Sequence, residues 1–139
     1  MKQIISRAKA TKAVRKKFLA LPVVDQALRD YALTFPEAYE EFPWNERVIK
    51  VNKKIFAFVG ILPEPWNVFR LGVKLPQSNG DALMFPFAEP MGYGLGKSGW
   101  VTLTFAAGED VPLDMLKTWI AESYRALAPK KLIADLDAA

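Results

Sequence analysis

The chain has 139 residues, 51% of them apolar, a net charge of +4, no cysteine and no histidine. This length and apolar content suit one globular domain that buries a core without staples, and no apolar run approaches the roughly 18 residues needed to cross a bilayer. Missing cysteine excludes disulfides and thiolate chemistry, and missing histidine excludes His-dependent triads, HExxH sites and nearly all zinc sites.

Charge is unevenly spread. Residues 1–24 hold seven cations (Lys2, Arg7, Lys9, Lys12, Arg15, Lys16, Lys17) and no acid. Residues 25–139 hold the other 12 cations and all 15 acids, a net of −3. The basic balance therefore belongs to the leader. Residues 1–21 read as a basic amphipathic helix, with Ile4, Ala8, Thr11, Val14 or Arg15, and Phe18 recurring three or four apart. Three readings fit it. It is a solvated leader that packs Phe18 and Leu19 on the body, a nucleic-acid arm through Lys12, Arg15, Lys16 and Lys17, or a membrane-surface or organelle-targeting helix. No short apolar run with a small-residue cleavage site follows the basic start, which argues against a secretory signal. A cytoplasmic home fits the missing cysteines.

Residues 22–139 read as the domain proper. Pro22 ends the leader helix, because Leu21 before it is pushed from the α region. A helix is predicted from about Val23 to Phe35, with Val24, Ala27, Leu28, Tyr31, Ala32 and Phe35 as its core stripe, and Pro36 stops it. Glu37–Phe42 reads as a short strand or turn. Val48–Val51 and Ile55–Val59, rich in Val, Ile and Phe and joined by a short polar link, predict a β-hairpin. This hairpin is the expected seed of the sheet.

Ile61 to Pro65 reads as loop, since two prolines do not fit a central strand, and Asn67–Val73 as a third strand. A short helix is predicted within Pro76–Met84. Phe85–Phe87, Glu89-Pro90 and the glycine-rich Met91–Gly99 read as loop. Trp100–Phe105 alternates Val, Leu and Phe with Thr, as a half-buried strand should. Asp110 to Ala128 predicts a helix capped by Asp110, with Pro112 in its first turn and a buried face of Leu116, Trp119, Ile120, Tyr124 and Leu127. Lys130–Ala139 adds a final turn. The order implies an α+β fold: a single antiparallel sheet with helices packed on one face, plus the N-terminal basic helix.

Gly94-Leu95-Gly96-Lys97-Ser98 approaches a phosphate-binding loop but fails its pattern. The required first glycine falls on Met91, and a strand, not a helix, follows. It reads as a flexible glycine turn with one exposed lysine. Glu40 and Glu41 point to opposite faces of a strand, which makes them poor acid/base partners, and with Glu37 they read as a solvated acidic face. The chain therefore reads as non-enzymatic and free of cofactors. Rings in loops are harder to bury, so Trp66, Phe87 and Tyr93 are candidates for a surface groove. Lys53, Lys54, Arg70, Lys74 and Lys97 lie beside them in sequence, and cations among aromatics can stack bases and hold phosphates.

Against this reading stands a resemblance. Tyr31 to Trp44 (YALTFPEAYEEFPW) resembles the helix and Pro-Gly-Ala-x-Glu opening of the MmcQ/YjbR-like family. Lys50 to Ala57 (KVNKKIFA) resembles that family's hairpin, Lys97-Ser98-Gly99-Trp100-Val101 its Lys/Trp region, and Glu122-Ser123-Tyr124 its last helix. The resemblance spans about residues 23–131. It implies a frataxin/CyaY-like α+β fold and a non-enzymatic "double-wing" DNA-binding module. The family's lysine and tryptophan positions carry over to Lys53, Lys54, Lys74, Lys97 and Trp100. The glycine-rich Met91–Gly96 departs from the family's more polar loop, and the basic leader is extra to the pattern. DNA is thus the expected partner. The alternative is an adaptor that binds a small molecule or a protein in an aromatic-lined groove.

Overall fold

The computed structural model of the protein describes residues 19–139. The helix expected over the leader, and with it Lys12, Arg15, Lys16 and Lys17, falls outside the described residues.

Helix α1 (Leu21–Ala32) starts two residues earlier than expected. Pro22 occupies its first turn, where its missing N–H is not needed. Leu21, Val24, Leu28 and Ala32 recur at three and four and are buried. The helix stops at Ala32, not Phe35, because the chain turns ahead of Pro36. Phe35 nonetheless stays in the core, which is why the apolar stripe ran past the helix end.

Among the described residues, six strands form one antiparallel sheet: β1 (Tyr39–Glu41), β2 (Val48–Val51), β3 (Lys54–Leu62), β4 (Val68–Lys74), β5 (Ala88–Pro90) and β6 (Trp100–Ala106), in the order β1-β2-β3-β4-β6-β5. The predicted hairpin is β2–β3, closed by a two-residue turn with Asn52 at φ 48° and Lys53 at φ 66°. Positive φ at both central residues is the geometry whose twist matches paired strands. Ile49 faces Ala57 and Lys50 faces Ile55, so β3 carries one extra residue, Phe56, as a β-bulge.

Two expected loops are strand instead. Ile61 and Leu62 continue β3, paired with Phe69 and Val68, so the prolines begin only after the ladder ends. Ala88–Pro90 pairs with β6 as the sheet's last strand. A proline is tolerated there because an edge strand has one side without a ladder.

The sheet buries one face. Ile49, Ala57, Val59, Phe69, Leu71, Val73, Val101, Leu103 and Phe105 share register on that side and are buried. Against them pack α1 and α3 (Leu113–Leu127), which also touch each other. The short helix of the Pro76–Met84 region, α2, is confined to Asn79–Ala82. Asp110 does not cap α3: Pro112 holds the N-cap position and no side chain caps it. Lys130–Ala138 is a nine-residue helix, α4, rather than a turn, and it seats Leu132 in the core. The fold is α+β with its helices on one side, and this leaves the other face of the sheet open.

Candidate functional site

Register sets where the predicted lysines stand. Val51 faces Lys54, Ala57 faces Val73, and Lys74 faces Trp100. Lys53 tips the β2–β3 turn, Lys54 opens β3, and Lys74 closes β4. Lys97 sits in the 3-10 turn Leu95–Ser98 just before β6. The fold thus gathers Lys53, Lys54, Lys74, Lys97 and Trp100 at one end of the sheet, with Lys74 turned to the open face. Among the described residues none of the four lysines has a carboxylate partner. Trp100 is different. It is 8% exposed and meets the Phe58 ring edge-on at 5.8 Å, so it supports this end rather than presenting a ring to solvent.

The turn that holds Lys97 is built from glycine. Gly94 and Gly99 flank it at φ 77° and 88°. Gly99 is also pressed against the Leu75 carbonyl, 3.1 Å from where a Cβ would sit. A strand follows it, so no helix N-terminus is offered to a phosphate.

The open face carries a groove of about 870 Å³. Phe58, Gly60, Arg70, Gly72 and Thr102 from β3, β4 and β6 contribute to its floor. One lip is Phe42–Arg47, between β1 and β2, and the other is Glu89–Leu95, from the end of β5 into the segment before β6. Met91 lies over the floor: a Cβ added to Gly72 would come within 2.5 Å of its methyl carbon. The lips carry Trp44 and Tyr93, at 92% and 105% exposure. Both have left-handed backbones, at φ 52° and 59°, a conformation that bulky side chains seldom adopt.

Of the rings expected in a groove, Tyr93 lines it. Trp66 is exposed on the β3–β4 loop, outside the lining. Phe87 instead stacks on Phe85 and tilts against Phe105, on the helix side. Phe42 and Trp44, outside the rings expected in a groove, line it as well. Asn45, which follows Trp44 with φ 64°, is the signal that marked a turn there.

Glu40 and Glu41 do point to opposite faces, in register with Ile49 and Val48. Glu40, however, is not a solvated acid. It accepts from Arg29 Nε at 2.6 Å and lies 3.2 Å from Arg47 Nε, which is buried and off the hydrogen-bonding line. Arg47 also donates to Asp25 at 2.8 Å. The hydrogen bond to Glu40, reinforced by its charge, raises the Arg29 pKa. Glu41 accepts from Lys50 at 2.8 Å and raises the Lys50 pKa in the same way. These carboxylates hold β1 to α1 and β2, and their cations are spoken for.

Glu122-Ser123-Tyr124 is structural. Glu122 accepts from the backbone N–H groups of Gln77 and Ser78 at 3.0 Å. Ser123 is buried and bonds to β3 and β4. Tyr124 donates to the Pro36 carbonyl at 2.9 Å. Three successive side chains thus tie α3 to four other segments.

The described residues form an α+β domain with an open sheet face, a ring-lipped groove and, at one end of the sheet, four lysines without a carboxylate partner among them. The sequence matches the family model YjbR over residues 33–126, from the turn after α1 through nearly all of α3. The chain belongs to the YjbR family. No curated protein matches it.

Proposed function

We propose that the chain is a non-enzymatic DNA-binding module whose described contact surface is the lysine end of the sheet. The observation that carries this reading is the gathering of Lys53, Lys54, Lys74 and Lys97 with no carboxylate partner among the described residues. Elsewhere Arg29, Arg47, Lys50 and Arg125 are each held by an acid. A lysine already bound to a carboxylate has little to give a phosphate, whereas an unpaired one can displace a condensed counterion. The double-wing DNA-binding character implied by the family resemblance points the same way.

Duplex binding should therefore fall as salt rises, with about 0.9 in slope for each phosphate contact. Anisotropy of a labelled duplex over a salt series measures it. Lys53→Ala with Lys54→Ala should lower the slope by about two, while deletion of residues 1–18 measures the leader's share. A full-length protein with no salt-dependent binding at low salt would end this reading. A second reading, an adaptor for a small molecule or protein, is favoured by the groove itself, and it expects no duplex binding near physiological salt.

A further inference from the structure

Lys74, at the lysine end, shares the open face with the groove, and β4 joins the two. Arg70 and Lys74 project from the same side of β4, four residues apart, which is about 13 Å at the usual strand rise. Arg70 is exposed and lacks a carboxylate partner among the described residues, unlike Arg29, Arg47 and Arg125. Arg70 thus lies on the groove floor, and Lys74 stands beyond the groove on the same face, toward the lysine end. Over the floor stand Trp44 on one lip and Tyr93 on the other, rings fully in water on backbones of unfavourable hand. Each such backbone carries strain that the surrounding structure must offset. Neither ring offsets that strain by burial.

The acids nearby narrow the choice of ligand. Asp25 is neutralised by Arg47 at 2.8 Å. Glu46 and Glu89 line the groove and have no cationic partner among the described residues. A phosphate would avoid them, but a base's exocyclic amine is a donor that a carboxylate accepts. The lips therefore suit bases and the β4 row suits phosphates. A duplex keeps its bases stacked inside, out of reach of two rings, whereas an unstacked strand can lay its bases on aromatic faces.

We infer that the open-face groove binds single-stranded nucleic acid, with Trp44 and Tyr93 stacking bases while Arg70 and Lys74 hold phosphates. This rests on the nucleic-acid reading above and names the form of the polymer.

The test compares a fluorescein-labelled 15-mer deoxythymidine strand and a mixed-sequence strand with the corresponding 15-base-pair duplex, by anisotropy on the full-length chain. Trp44→Asn and Tyr93→Asn are suited to it, because asparagine accepts the left-handed backbone and removes only the ring. Trp44→Phe restores a ring. The single strand should bind tighter than the duplex. Each Asn variant should weaken it about tenfold, within the range for one stacked base, with the melting temperature held. Trp44→Phe should recover most of the loss. Arg70→Ala should lower the single-strand salt slope by about 0.7, and the Asn variants should leave it unchanged. Single-strand affinity unaltered in both Asn variants, or duplex bound more tightly than single strand, overturns this inference and leaves the lysine-end reading standing. Absence of binding to either polymer removes both.

Discussion

The Ser123 hydroxyl donates to the Phe56 carbonyl at 2.6 Å and accepts from the Lys74 backbone N–H at 2.8 Å, wholly buried between helix and sheet. Phe56 is the bulged residue of β3, and Lys74 lies one step past the last β3–β4 pair, Ala57 with Val73. The bulge leaves a carbonyl and an N–H without ladder partners. One hydroxyl satisfies both, and it can do so because a hydroxyl is donor and acceptor at once.

Ser123→Ala should strand both groups in a dry interior. Each buried unsatisfied group costs about 1–3 kcal/mol, so a loss of about 2–4 kcal/mol is expected in urea unfolding. A loss under about 1 kcal/mol would show that these two bonds do not fasten α3 to the sheet.

Tyr124 offers a test by pH. Its ring stacks on Phe35 at 4.7 Å and meets Phe56 edge-on at 5.2 Å. Burial, helped by the charges of Glu37 and Asp135, raises its phenol pKa. A folded pKa above the ordinary value near 10 means the native state holds the proton more tightly than the unfolded chain. The resulting stability is full below about pH 10 and lost as pH rises through the folded pKa. Tyr124→Phe should cost about 1 kcal/mol at neutral pH through the lost bond to Pro36. It should also flatten the stability loss above pH 10, seen as a difference between the two proteins' alkaline melting curves. Parallel curves would refute the assignment.

Trp119 is 6% exposed and meets Phe85 edge-on at 6.1 Å. Trp119→Ala should destabilise by about 3–5 kcal/mol, as for other buried aromatics. A loss under about 1 kcal/mol in chemical unfolding would place that face of α3 at the surface.

Where the sequence was legible, one face was buried and the side-chain period was unbroken. Val101–Phe105 and the Leu116–Tyr124 stripe are of that kind. β5 was not legible, since Ala88-Glu89-Pro90 has neither the length nor the composition of a strand; its pairing with β6 makes it one. The family resemblance points to Lys53, Lys54, Lys74 and Lys97, and the strand register puts them at one end of the sheet. The groove was not legible. Its lips, Phe42–Arg47 and Glu89–Leu95, are distant in sequence, and they face each other only because β6 inserts between β4 and β5. Nor does any local rule place Trp44 and Tyr93 at positive φ, where glycine or asparagine would be expected.

Lys53 is a third residue of that sort, and its cost can be measured directly. It holds the second central position of the β2–β3 turn at φ 66°, after Asn52 at φ 48°. That turn strongly prefers Asn-Gly, so the sequence already has the favoured first residue and lacks the favoured second. Lys53→Gly should relieve the left-handed strain while keeping the turn. The unfolded chain gains freedom with glycine, which takes back part of the benefit. The net expectation is a gain of about 0.5–1 kcal/mol in thermal or urea unfolding. The same change removes one of the four lysines of that end of the sheet, so the duplex salt slope should fall by about 0.9. A more stable protein that binds duplex DNA more weakly would show that the strain is tolerated for the sake of a cation at the hairpin tip. If Lys53→Gly gains stability and loses no affinity, the tip lysine is no part of the DNA surface. If it loses stability, Lys53 makes a folded-state contact that its exposed position gives no sign of.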